Sequence, residues 1–572
     1  MTARGRLPKV TSFMQAKEAI LATEELIDKA LASLAERVRE GKAVSVEKLD
    51  QHQAAAYDLA WICAQLQAGR CALEFAQKNP GDLESNLADF FIADALSAIS
   101  TTIIYRLGEF GITREDLERS LMSESACSWI ETKLSPPNIG LVASLLRHQG
   151  GLVNYGLSHD HLEIKNLFKK FADTKIVPIA EQIHRQDADI PEEVIRSLAE
   201  LGCFGLSVPQ RYEGFQDDNS PDNLGMVIAT EELSRASLGA AGSLITRPEI
   251  LAKALLKGGT EEQKNKWLPL IATGQKMVSV AVTEPDYGSD VASIVVKATP
   301  ADGGGWVISG TKLWCTFAGR AEVLMVLART DPDKAKKYKG LSVFIAEKPA
   351  FGGHHFEYAQ PKGGKISGRS IPCIGYRGMH TFEVIFDNYR VPEENLIGGK
   401  EALGKGFYLQ MEGFAGGRLQ TAARANGVSQ AAFESALNYA RERKVFGKPI
   451  GEYQLTEWKL VRMAAWLHAS RQLTYQVAKL FDQGQGQMEA SLVKLFASRI
   501  SEWIAREAVQ IHGAMGYSDE TPVSRYFLDA KVFSIFEGAE EILALRVIAK
   551  SLLEKILDSH SVIASPSRGV VI

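Results

Sequence analysis

Four segments carry side chains whose types and spacing could do chemistry. Val282-Thr283-Glu284-Pro285-Asp286-Tyr287-Gly288-Ser289-Asp290 runs an alternating stretch into a polar turn. Gly310-Thr311-Lys312-Leu313-Trp314-Cys315-Thr316 sets an indole and a hydroxyl two residues apart, which on a regular strand is one face. Ala440-Arg441-Glu442-Arg443-Lys444-Val445-Phe446-Gly447-Lys448-Pro449 ends a helical pattern in cations, with Gln454 soon after. Gln510-Ile511-His512-Gly513 leads on to Ile535-Phe536-Glu537-Gly538. A carboxylate such as Glu537 could serve as a general acid or base. The Arg443 guanidinium offers paired hydrogen-bond donors. Each segment alone also has a plain structural reading. Thr-Glu-Pro can be only a turn, Trp314 a core residue, the Arg-Glu-Arg-Lys run a helix stop and Glu-Gly a cap.

The elements that must position these residues follow from periodicity. Residues 13–130 read as helix throughout: Ala, Leu, Glu and Gln dominate and apolar positions recur at three and four. Ser135-Pro136-Pro137-Asn138 marks a first boundary, because consecutive prolines cannot continue a helix. Helical periodicity resumes from His159 to Gly274. From 278 the pattern alternates in Val278–Thr283, Gly305–Ser309, Glu322–Leu327, Leu341–Ala346 and Thr381–Phe386, with turn clusters between, which predicts an antiparallel β domain. From Gly404 to about 556 it is helical again. The expected domains are therefore 1–140, 141–277, 278–398 and 399–572, in the order α, α, β, α.

Composition excludes several classes. The 572 residues hold 65 Lys+Arg against 69 Asp+Glu, a net charge of −4, which argues against a nucleic-acid-binding body. No uninterrupted apolar run approaches the ~18 residues of a membrane span. The basic start, Met1 to Lys9, lacks an apolar signal core, and Glu18, Glu24 and Glu25 arrive too early for a presequence. Six cysteines stand apart without CxxC pairing, which predicts reduced thiols, a cytoplasmic location and no metal site. No GxGxxG, GxxxxGK[ST], HExxH or GxSxG motif is present. The run Lys334, Lys336, Lys337, Lys339 reads as a solvated loop.

One internal similarity stands out. Ala60-Trp61-Ile62-Cys63-Ala64 matches Ala465-Trp466-Leu467-His468-Ala469, Leu83–Leu87 matches Met488–Leu492, and Phe91 matches Phe496, all at the same offset. Amphipathic helices resemble one another by chance; the alternative is that the N-terminal region is a degenerate copy of the C-terminal bundle.

Taken together, in this order and this α-β-α arrangement, the four segments resemble the acyl-CoA dehydrogenase family of flavoproteins over about residues 158–556. The resemblance implies a mainly α fold with a central β domain, preceded here by an extra helical domain. It implies FAD as cofactor, an acyl-CoA substrate and electron-transfer flavoprotein as acceptor. The reaction needs a carboxylate over the α-carbon, a site at the thioester carbonyl and a flavin on the opposite face. By resemblance Glu537 is the base. In relatives with the base elsewhere it precedes the arginine matched by Arg418, a position that is Gly417 here. Val282, Thr283, Trp314 and Thr316 would contact the flavin, Ser289 the CoA, and Arg418 and Gly538 the substrate beside the base. Arg443, Phe446 and Gln454 would hold the FAD of a neighbouring subunit, with Gln510 and Gly513 at its ADP. The family's Thr and Gln after the base are here Ala539 and Glu541.

An extra bundle placed before the core points within the family to members acting on a branched acyl-CoA with a distal carboxylate. Arg247, in Leu244-Ile245-Thr246-Arg247-Pro248 where branched-chain relatives line the acyl pocket, is the candidate partner of that carboxylate. A helix-start arginine at the surface is the plainer reading. In relatives with a second bundle, that bundle takes the place of a second dimer, so a homodimer is expected. The alternatives are a monocarboxylic branched-chain dehydrogenase, an acyl-CoA oxidase, and a flavoprotein relative that binds DNA.

Overall fold

The computed structural model describes residues 9–563, so the basic start before Lys9 lies outside the described residues. The N-terminal region consists of α1 (Lys9–Val38), α2 (Gln53–Lys78), α3 (Asp82–Ile104), shorter helices, and α4 (Pro136–Gln149). It is not helical throughout. A small ladder pairs Arg39–Glu40 with Ala43–Val44, turned by Gly41 at φ +63°. A helix, Glu124–Lys133, does end just before the prolines, but another begins at them. Pro136 and Pro137 occupy the first turn of α4, where their missing N–H groups would have no partner anyway. The break falls at Gly150–Leu157, and the boundary expected at 140 lies inside α4. Ser158 then caps α5 (His159–Phe171), its hydroxyl accepting from His161 N.

The second helical region continues with α6 (Val177–Gln186), α7 (Asn223–Ala236), α8 (Thr246–Gly258) and α9 (Glu261–Ala272). An eight-stranded sheet follows: β1 (Val278–Ala281), β2 (Lys297–Pro300), β3 (Trp306–Thr316), β4 (Val323–Arg329), β5 (Leu341–Glu347), β6 (His355–Ala359), β7 (Lys365–Ile371) and β8 (Thr381–Val391). Its order is β1-β4-β2-β3-β8-β7-β6, with β5 paired to β4. Most pairs are antiparallel, but β1 and β2 both run parallel to β4, which corrects the purely antiparallel expectation. Alternation in single strands reveals which face is buried and says nothing of partner direction.

The C-terminal bundle is built on α10 (Gly406–Glu442), α11 (Gln454–Asp482), α12 (Gln487–His512), α13 (Val523–Ala530) and α14 (Lys550–Ile563). Helix α10 lies against α7 with backbone contact: a Cβ at Gly427 would stand 2.2 Å from Glu231 O. Helix α3 is long and apolar enough to cross a membrane, yet the fold uses it as a core helix. Phe90 and Phe91 are fully buried, and Asp94 accepts from Trp466 Nε1 (2.6 Å) and Arg462 Nε (2.7 Å). All six cysteines are unpaired.

Candidate active site

Glu537 sits in a turn between the short helical turn Lys531–Ser534 and Glu540–Ile542. It is a non-glycine residue at φ +55°, followed by Gly538 at φ +104°. Left-handed backbone at a glutamate is costly, so the surroundings must hold it. Two cations, the buried Lys494 and the half-buried Arg418, do so through carbonyl oxygens. Lys494 Nζ on α12 donates to Gly538 O (2.7 Å), and Arg418 Nε on α10 donates to Glu537 O (3.4 Å). The backbone is thus restrained while the carboxylate stays available: Glu537 Oε2 is buried with no hydrogen-bond partner. Gly417 provides the room. A Cβ there would stand 3.1 Å from Glu537 Oε2, so the two positions expected to carry a base within the family border each other. Burial pushes the Lys494 ammonium down to about 7 against the attraction of Glu537 and Glu540, and burial also lowers Arg418 against Glu537.

The space on the other side of Glu537, around the start of α8, is lined by buried charge. Arg247, 5% exposed at the start of α8, donates Nη1 to Tyr376 OH (2.7 Å). It is a buried residue, which removes the surface reading. Arg424, one and two-thirds turns beyond Arg418 on α10, donates to Ser243 Oγ (3.1 Å) and Thr421 Oγ1 (2.7 Å). Its Nε is buried without a partner and its guanidinium lies 4.7 Å from the Phe536 ring centroid. Burial and Arg247 push Arg424 down to about 10, while Tyr376, Glu537 and Glu249 oppose the shift. Glu249 accepts from Ser207 Oγ (3.1 Å), and burial raises its carboxyl. A cavity of about 1010 Å³ opens beside Arg418, with Lys257, Lys405, Tyr408 and Met488 in its walls.

The second group gathers where β1 and β3 end. Leu313 N donates to Thr283 O (2.8 Å) and Ser279 Oγ to Thr316 O (2.8 Å). Below them Lys312 Nζ, fully buried, binds Val282 O (2.8 Å) and Glu284 Oε1 (2.8 Å), and Glu284 accepts from Val295 N and Val296 N. The Thr-Glu-Pro turn is therefore a buried ion pair that ties the loop to the sheet. Strand β3 corrects the one-face expectation. Trp314 has φ +60°, and the register with β8 shifts between Phe382 and Val384. This bulge breaks the period of two, so the indole is 55% exposed while Thr316 is buried against Thr381 Oγ1 (3.2 Å). Val282 is buried, and Ser289 is exposed on the loop beyond.

The third group lies at the ends of the bundle helices. Arg443 closes α10, Gln454 opens α11, and Gln510 and Gly513 end α12. Tyr439 stacks on His512 at 4.4 Å, which brings these ends together. Phe446 is 95% exposed at φ +50°, and Arg443, Gln454, Gln510 and Gly513 are exposed as well. Ala539 and Glu541 flank Glu540, whose carboxylate accepts from Tyr57 OH of α2 (2.9 Å).

These residues fit an FAD. Trp314 and Val282 offer apolar surface, Thr283 and Thr316 offer hydroxyls, and Arg443 with Phe446 offers an uncovered cation and ring. Sequence reasoning missed Lys494, Arg424, Tyr376 and Glu249. The available signal was a lone charge inside an apolar run, Leu492-Val493-Lys494-Leu495-Phe496 and Ala422-Ala423-Arg424-Ala425.

Comparison with known proteins agrees with this geometry. Residues 158–275, 279–389 and 404–553 match the acyl-CoA dehydrogenase N-terminal, middle and C-terminal domain models. The chain is 38% identical over 555 residues to (2S)-methylsuccinyl-CoA dehydrogenase of Cereibacter sphaeroides, covering 94% of this chain and 98% of that protein. Butyryl-CoA dehydrogenase of Megasphaera elsdenii superposes with a TM-score of 0.64 at 31% identity, over 70% of this chain and all of that one. A Mycobacterium smegmatis glutaryl-CoA dehydrogenase in complex with FADH2 does so at 0.61 and 27% identity, over 69% and 95%. The chain belongs to the acyl-CoA dehydrogenase family, FAD-dependent oxidoreductases that act on CH–CH bonds.

Proposed function

We propose that this chain oxidises the short branched dicarboxylic thioester (2S)-methylsuccinyl-CoA to mesaconyl-CoA and passes the electrons to electron-transfer flavoprotein. The observation that carries the substrate is the pair Arg247 and Arg424. Both are buried, Arg247 disfavours the charge on Arg424, and their hydrogen-bond partners are neutral hydroxyls. Burying cations without anions is costly, and a distal carboxylate entering the pocket offsets that cost. The relative from Cereibacter sphaeroides, matched over nearly its full length, supports the same substrate.

Within this reading Glu537 takes the α-proton onto its free Oε2. Lys494 and Arg418 fix the Glu537–Gly538 backbone so that the carboxylate need not reorganise, and Gly417 keeps its approach open. Bound FAD would supply the hydride acceptor for the β-hydrogen. Trp314, Thr316, Val282 and Thr283 hold the flavin ring. The cavity beside Arg418 takes the CoA moiety, with Ser289 at its pantetheine or pyrophosphate. Arg443, Phe446, Gln454, Gln510 and Gly513 serve the FAD of a partner subunit. The N-terminal region fills the place of a second dimer, so the assembly is a homodimer; light scattering giving about four chains per particle would reject that.

One observation favours a monocarboxylic branched substrate instead. Glu249 is a buried carboxyl in the same pocket and, ionised, would itself neutralise Arg424. A panel with a ferricenium acceptor separates the two, comparing methylsuccinyl-CoA with 2-methylbutyryl-CoA and isobutyryl-CoA. A site built to pair a polar group can reject analogues lacking it by about 10⁴–10⁵, whereas a methylene is worth only ~10–200-fold. Methylsuccinyl-CoA should therefore dominate, and Arg247→Leu should lose that activity by about two decades or more while affecting 2-methylbutyryl-CoA far less. Equal use of the monocarboxylic substrates by the wild type overturns the proposal.

A further inference from the structure

Away from the reaction centre, three side chains from two domains converge. Asp187 follows α6, His354 lies in the loop between β5 and β6, and His380 directly precedes β8. One potential ligand atom from each lies within 4.8 Å of the other two. His380 Nδ1 is 3.6 Å from Asp187 Oδ1, and the two imidazole centroids are 4.3 Å apart. Ligands held at ~2.1 Å around a tetrahedral zinc ion stand about 3.4 Å from one another. The trio is therefore close to ligand spacing already, and the exposed His354 is free to complete the approach.

We infer that Asp187, His354 and His380 form a binding site for a divalent transition ion of the zinc class. The second observation is the support around the ligands. His380 Nε2 faces Asp189 Oδ1 at 2.8 Å. A carboxylate only accepts, so a proton sits on Nε2, and in the neutral ring Nδ1 is then the lone pair on the Asp187 side. Asp189 is itself anchored, its Oδ2 accepting from Gly353 N (2.7 Å) beside His354. His354 Nδ1 is engaged by Ser370 Oγ at 3.0 Å, leaving its Nε2 for metal. Each imidazole thus has one nitrogen held in place and one available, the arrangement that orients metal-bound histidines. Two imidazoles and one carboxylate suit zinc, cobalt or nickel rather than magnesium or calcium. Water completes the coordination on the exposed His354 side.

The ion's place in the fold assigns it a clamping role. Asp187 and Asp189 belong to the helical domain, and His354, Ser370 and His380 to the sheet. His380 O accepts from Phe317 N (2.8 Å), and the next residue, Thr381, bonds Thr316 in the flavin wall. A bound ion therefore pins the helical domain to the strand ends that carry Thr316, without entering the reaction. The sequence reading, which sought paired cysteines, expected no metal here.

The test uses the FAD-loaded full-length protein, stripped with EDTA and titrated with ZnCl2 by calorimetry, with CoCl2 absorption as a second readout. Expected are one ion per chain, a raised unfolding temperature with zinc, and a cobalt spectrum of nitrogen and oxygen ligation. His354→Ala, at an exposed position, should abolish all three while leaving metal-free stability intact. Asp189→Asn should weaken binding by about 10–100-fold. The proposal is overturned if zinc does not bind saturably, or if His354→Ala and Asp187→Asn bind it as the wild type does. It is equally overturned if zinc leaves the unfolding temperature unchanged and His380→Gln lowers it to the same extent with and without the ion. In that case the cluster is a charged imidazole between two carboxylates and nothing more.

Discussion

Helices α2 and α3 and helices α11 and α12 match at one constant offset, and they meet each other face to face. Trp61 stacks on Trp466 (6.3 Å), Phe91 packs edge-on to Phe496 (6.0 Å), and the cross pairs Trp61–Phe496 (5.4 Å) and Phe91–Trp466 (5.0 Å) complete a four-ring cluster. The flanking charges follow the same relation: Asp94 binds Trp466, and its counterpart Arg499 lies 4.1 Å from the Trp61 ring centroid. Such reciprocity is what a two-fold interface between like surfaces requires. It supports residues 1–140 as a degenerate copy of the C-terminal bundle. The chemistry differs. Where α12 carries Lys494 against the Glu537–Gly538 turn, α3 carries Asp89, paired with Lys133 at 2.6 Å. Packing surfaces persist in both regions, whereas the lysine that holds the Glu537–Gly538 turn stands in only one.

The sharpest test of that division is the base itself. Glu537→Gln should retain FAD and lose substrate bleaching of the flavin by about 10²–10⁴-fold, measured anaerobically by stopped flow. Near-normal bleaching would move the chemistry elsewhere.

The shared interface is probed next. Phe91→Ala and Phe496→Ala each remove a fully buried ring and should cost about 3–5 kcal/mol in denaturant unfolding. If the copy is only a scaffold, Phe91→Ala should leave the catalytic rate of the folded enzyme nearly unchanged.

Lys494 sets the two regions apart by pH. The folded state holds it neutral above about 7, while the unfolded lysine stays protonated to its ordinary 10.5. The unfolded chain then binds more protons, so this group makes stability rise with pH across that window, by at most about 1.4 kcal/mol per pH unit. Stability curves from pH 7 to 10 should lose that rise in Lys494→Met.

The smallest effect is the coupling across the interface. A double-mutant cycle of Trp61→Leu with Phe496→Leu should give about 0.5–1.5 kcal/mol, as aromatic pairs do. Zero coupling would reduce the apparent symmetry to shared burial.

Much of this was legible before any coordinates. Local periodicity determined the α, α, β, α order, and the spacing of Trp314, Arg443, Gln510 and Glu537 pointed to one family. The constant offset between Trp61 and Trp466 located the two like regions. What the sequence could not carry was the direction and partner of each backbone segment. Regular alternation would treat Trp314 and Thr316 alike, but the bulge at Trp314 leaves one exposed and the other buried, because one left-handed residue resets the alternation. Pro136 looked like a stop and is a start, since a missing N–H is harmless in a first turn. Lys494, Arg424 and Glu249 were not singled out in the sequence. Only tertiary packing turned them inward, because whether a charge is solvated or buried depends on which segment lies across from it, and that neighbour is 42 to 181 residues away in the chain.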